Sequence, residues 1–108
     1  MGKRKLIDVA GVFYSPAYDN QLLWKIKEGD SLSLVQEPGN SHDKWAIMLI
    51  HPEVGMVGYI PSPYNQRLGI WLNQGNQAIC LVVWVEDGEF PKITAELTRK
   101  EITNAKGS

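Results

Sequence analysis

The sequence predicts a mainly β fold, a small barrel of about six or seven strands with one short helix. Three observations carry that reading. Short apolar or alternating runs recur through the 108 residues, each closed by a cluster of Gly, Pro, Asn, Asp or Ser. One segment carries residues that open and stop a helix. The many separate turns favour closure into a barrel over a two-sheet sandwich.

Residues 6–14 are mostly apolar and β-branched around Gly11, giving a first strand with a bulge or close backbone approach at that glycine. Phe13 and Tyr14 would then point to opposite faces, so one ring faces outwards. Residues 15–20 read as a loop. Residues 22–27 alternate loosely as a second strand, and residues 31–36 alternate cleanly, with Leu32 and Leu34 on one face. Residues 45–50 are continuously apolar, as in a strand covered on both faces. Pro52, Glu53, Val54 and Gly55 form a hairpin connection, and residues 56–60 return.

The helix follows. Ser62 offers a hydroxyl for the N-cap and Pro63 the first helical position. Leu68, Trp71 and Leu72 share one face, and Gly75 supplies a left-handed stop. Residues 78–85 are a central strand, too short to span a membrane. Asp87 and Gly88 signal a two-residue hairpin, with residues 93–97 returning behind Pro91.

A chain of 108 residues holds one domain: a basic extension over residues 1–5, a barrel over 6–97 and a flexible tail over 98–108. Its 11 Lys and Arg against 12 Asp and Glu give a net charge of -1, which removes the long-range pull of a nonspecific nucleic-acid binder. Any nucleic acid must be gripped locally. The single cysteine forms no internal disulfide and the basic start leads into no apolar leader core, so the expected compartment is the cytoplasm.

Catalytic patterns are absent. Cys80 sits in an apolar strand, where a free cysteine acts as a small buried hydrophobe. His42, His51, Asp43 and Cys80 show no metal-ligand spacing, and no phosphate-cradling glycine loop or serine elbow occurs. A binding protein needing no cofactor is the better reading. Trp45, Trp71 and Trp84 lie on core-patterned faces, so packing is their expected work.

The candidate site is the loop within QEPGNSHDKWAI, residues 36–47. It combines amide, imidazole and carboxylate in a turn-rich stretch between two strands. Asp43 has two readings, a turn stabiliser that bonds its own backbone or a ligand-facing acceptor.

As a set, Gly11, Tyr14, Gly29 with Asp30, the EPGNSHDKWAI block, VGYIP at residues 57–61, the Leu68 to Leu72 helix and Gly75 resemble the HIRAN domain. That domain occurs at the N-terminus of certain DNA-remodelling helicases and as a stand-alone bacterial protein. The resemblance implies an OB-like barrel, and helicase-attached members bind the 3′-hydroxyl end of single-stranded DNA. Carried over, Asn40 and Asp43 look like the pair that bonds the terminal nucleotide. His42 stands where a stacking tyrosine is found, Tyr14 looks like the second ring, and Tyr59 joins the nucleic-acid-binding set. Phe13 and Ser62 fall where DNA-binding members carry an arginine and a lysine, leaving Lys44, Arg67 and the Lys3, Arg4, Lys5 cluster as candidate phosphate contacts. The implied partner is a DNA end in a repair or replication-restart setting, with near-micromolar affinity, about 8 kcal/mol. The alternative is a barrel that has lost end binding and docks a protein partner, with no membrane role; a hydrolase is the weakest reading.

Overall fold

The computed structural model describes residues 3–100. Six antiparallel strands form one continuous ladder: β1 (Lys3–Asp8), β2 (Ser31–Gln36), β3 (Ile47–His51), β4 (Gly55–Tyr59), β5 (Gln77–Glu86) and β6 (Lys92–Lys100), in the order β1-β6-β5-β2-β3-β4. The ends of that order meet. Just beyond β1, Ala10 exchanges two backbone hydrogen bonds of 2.8 Å with Tyr59 of β4, closing the ladder into an OB-like barrel. Closure demands glycine at position 58. Its φ is 152°, and a Cβ there would stand 2.5 Å from the Ala10 carbonyl oxygen and from Val9.

Alternation fills the interior. Ile47, Leu49 and His51 of β3 are buried while Met48 and Ile50 are half-buried, and Leu32 of β2 meets Ile93 and Leu97 of β6 in one core. The helix α2 (Tyr64–Asn73) plugs the barrel with Leu68. It approaches closely because Gly69 lies against Trp45, where a Cβ would come within 2.8 Å of the indole. Gly75 stops it, with φ of 88° and its N–H donating to Leu72. No helix among the described residues is long and apolar enough to cross a membrane.

Several elements differ from the sequence reading. The first strand begins at Lys3 and ends at Asp8, because Gly11 takes a left-handed φ of 73° and opens a 3-10 turn over Val12–Tyr14. Phe13 and Tyr14 are therefore both exposed and pack edge to face, 5.1 Å apart, instead of dividing between two faces. Ser15 accepts from the Tyr18 N–H at 3.2 Å and caps a one-turn helix, α1 (Pro16–Asp19), where a loop was expected. Residues 22–27 form no strand. They contain a 3-10 turn, Leu23–Lys25, whose three-residue repeat buries Leu23 and Ile26 together.

Later departures follow the same logic. Pro63, joined to Ser62 by a cis peptide bond, is the N-cap of α2, so the helix starts one residue after the expected Pro63. Residues 87–91, five residues instead of two, connect β5 to β6. A register shift between Val82 and Trp84 turns Trp84 out to 59% exposure, against its core-patterned position. Strand β6 runs on to Lys100, and the rest of the expected tail lies outside the described residues.

Candidate functional site

The loop between β2 and β3 is built on its own side chains. Glu37 N–H donates to the Ala46 carbonyl at 2.9 Å and Asn40 N–H to the Glu37 carbonyl at 3.0 Å. The Asn40 Oδ1 accepts from the His42 and Asp43 N–H groups at 2.8 and 3.1 Å, folding the loop tip around one amide. Its Nδ2 donates to Glu37 Oε1 at 3.1 Å. The same oxygen accepts the Tyr59 hydroxyl at 3.0 Å, tying the loop to β4. Burial, then the Glu37 carboxylate, raises the Tyr59 phenol above its ordinary range, so it stays protonated and donating.

Asp43 is held from two directions. Oδ1 accepts from the Trp45 N–H at 2.8 Å, and Oδ2 accepts from Asn65 Nδ2 at 2.7 Å. Asn65 is buried on the first turn of α2 and also donates to the Trp45 carbonyl at 3.2 Å. The turn-stabilising reading is thus realised, but Asp43 is not sealed: it stays half-exposed and faces a hollow of about 340 Å³. Each oxygen accepts one bond within the chain, and a carboxylate has about four acceptor positions, so it can take a ligand hydroxyl as well.

That hollow is lined by Ala10, Asn40, His42, Asp43, Ala46, Tyr59, Ile60, Ser62 and Asn65. Four residues singled out in the sequence therefore come together: Asn40, His42, Asp43 and Tyr59. The His42 ring is exposed at the rim. Tyr14 does not line the hollow; it stands 82% exposed on the turn that follows Gly11. Lys44 is exposed with its Nζ 5.9 Å from the Trp45 ring, and Arg67 lines a different hollow. Among the described residues, no Lys or Arg lines the hollow beside Asp43. Sequence reasoning missed Asn65, whose bonds to Asp43 and Trp45 span 22 and 20 positions, and the role of Glu37, which lies in the loop block but also accepts the Tyr59 hydroxyl 22 positions away.

The remaining reactive groups lie elsewhere. Cys80 is fully buried and its thiol is pushed up to about 12 by that burial. His51 is buried beside Asp30, and among the described residues no three His, Cys, Asp or Glu side chains gather as metal ligands. A larger hollow of about 750 Å³ is lined by Tyr18, Asp19, Gln21, Trp24, Asp87 and Gly88. With two carboxylates and no cation among these residues, it suits no polyanion.

No family profile matches the chain, and no curated protein matches it. Two solved structures do. The HIRAN domain of human HLTF superposes with a TM-score of 0.72 at 16% identity, over 89% of this chain and 74% of that one. A protein from Lactobacillus plantarum superposes with a TM-score of 0.77 at 22% identity, over 94% of this chain and 99% of that one. The fold is HIRAN-like.

Proposed function

We propose that the hollow beside Asp43 seats the 3′-hydroxyl end of single-stranded DNA, making the domain a non-catalytic end-recognition module in a repair or replication-restart setting. The observation that carries this is the Asp43 carboxylate, fixed by Trp45 and Asn65 yet open to the hollow that Asn40, His42 and Tyr59 share. An acceptor-only group receives a sugar hydroxyl and repels a terminal phosphate. The exposed His42 ring offers a base a stacking surface, worth about 1 to 3 kcal/mol per base and indifferent to sequence. The HIRAN-like fold and the resemblance of the EPGNSHDKWAI block support the reading together. Oligonucleotides of one sequence ending in 3′-hydroxyl or 3′-phosphate test it: the hydroxyl end is expected to bind at least tenfold tighter, and equal binding would reject it.

A second reading rests on a separate observation. Leu6, Ile79, Leu81 and Trp84 are all exposed large apolar side chains of strands β1 and β5, which flank β6. Such exposure favours a protein partner in place of DNA. Self-association or partner capture lost on Trp84→Ser, with no oligonucleotide binding, would support that alternative.

A further inference from the structure

Arg4 and Lys5 of β1, Arg67 of α2 and Arg99 of β6 converge with Tyr64 on a second hollow, of about 260 Å³. The chain's net charge of -1 conceals this concentration. Aromatic rings of α2 hold two of the cations in place: Lys5 Nζ lies 5.1 Å from the Tyr64 ring centre, and the Arg99 guanidinium 5.2 Å from that of Trp71. Among the described residues, the Lys or Arg ion pairs are Lys25 with Glu53 and Lys92 with Asp8, so none of the four cations is neutralised by one. A cluster of like charges repels itself unless an anion joins it.

The position of this hollow gives it a use. Tyr64 lines it and the next residue, Asn65, lines the hollow beside Asp43, so the two flank the first turn of α2. Consecutive helical residues point about 100° apart, so the two hollows open on different sides of that turn. The hollow beside Asp43 offers a strand's end an acceptor and a ring but no Lys or Arg, so the backbone charge must be met nearby.

We propose that the basic hollow binds the phosphodiester backbone of that strand a few nucleotides before its end. The arginines meet phosphate oxygens with their paired N–H donors and Lys5 adds a point charge. This inference rests on the end-recognition reading for the strand's direction, while its contacts are independent of the terminal hydroxyl.

The test is fluorescence anisotropy with oligothymidylates of about three and about twelve nucleotides, ending in 3′-hydroxyl or 3′-phosphate, across a salt series. The proteins are the intact chain, Arg67→Gln, and Arg67→Gln combined with Arg99→Gln; Arg67→Gln guards against misfolding because Arg67 is exposed on α2 and glutamine is as good a helix former. The intact chain is expected to prefer the longer strand, with a log-log salt slope of about -1.5 to -2 from two or three phosphates. Arg67→Gln should weaken twelve-nucleotide binding about threefold and the double variant at least tenfold, both keeping the hydroxyl preference. Length-independent binding with an unchanged salt slope in the variants would overturn the basic hollow and leave end recognition standing. Charge-dependent binding blind to the 3′ terminus would uphold the hollow and reject end recognition, and absence of binding would reject both.

Discussion

Asn65 donates to Asp43 across 2.7 Å, joining the first turn of α2 to the loop ahead of β3. The bond aims the carboxylate into the hollow, and Asn65 itself is buried. Asn65→Ala should therefore cost about 1 to 3 kcal/mol, because the Trp45 carbonyl and the Asp43 carboxylate lose a donor. Asn65→Asp should cost more at neutral pH, since it sets two carboxylates together. Urea midpoints would check the order, native above alanine above aspartate.

Barrel closure gives a second expectation. Gly58→Ala forces a methyl into the Ala10 carbonyl and Val9, at a φ that side chains rarely adopt. The variant should lose about 2 kcal/mol or more, and the Ala10 and Tyr59 amides should lose hydrogen-exchange protection. Unchanged protection would mean the two strands meet some other way.

His51 provides a third. Its Nδ1 accepts from the Glu53 and Val54 N–H groups at 3.0 and 3.2 Å, so the ring proton sits on Nε2 and donates to Asp30 at 2.7 Å. That bond, then the Lys27 N–H, holds the Asp30 carboxyl below its ordinary range. A depressed folded value means the unfolded chain protonates first as pH falls. The stabilisation is present above about pH 4 and lost as pH drops through the folded value. Asp30→Asn should flatten the acid limb of the stability profile, and His51→Ala should cost about 2 to 4 kcal/mol from the cavity and two orphaned N–H groups.

Cys80 gives a fourth. Fully buried and with its thiol pushed up to about 12, it should react with a disulfide reagent at pH 8 only through opening of the barrel. The labelling rate should follow the unfolding rate as urea is added, whereas rapid labelling of the native protein would place the thiol at the surface.

Where structure was local, it was legible in the sequence. The alternation of Leu32 and Leu34, the helix that stops at Gly75 and the turn chemistry of Asn40 and Asp43 all show in short windows. What escaped was set by distant contacts. Trp84 has a core-like position until the bulge in β5 reverses it. Tyr14 belongs to a strand pattern until left-handed Gly11 turns the chain. Asn65 reads as an ordinary polar helix residue, and its bond to Asp43 spans 22 positions of the chain. The basic run at the start of the chain and Arg67 were legible as phosphate contacts, but their meeting with Arg99 in one hollow was not, because it joins residues from both ends of the described chain.

The most direct measurement compares two strands that differ by one atom, an oligonucleotide with a 3′-hydroxyl and the same one with a terminal dideoxynucleotide. Loss of a hydrogen bond to a charged acceptor, about 1.5 to 3 kcal/mol, should weaken binding to the intact chain by roughly 10- to 150-fold. Equal affinity for the two strands would contradict a carboxylate that reads the terminal hydroxyl.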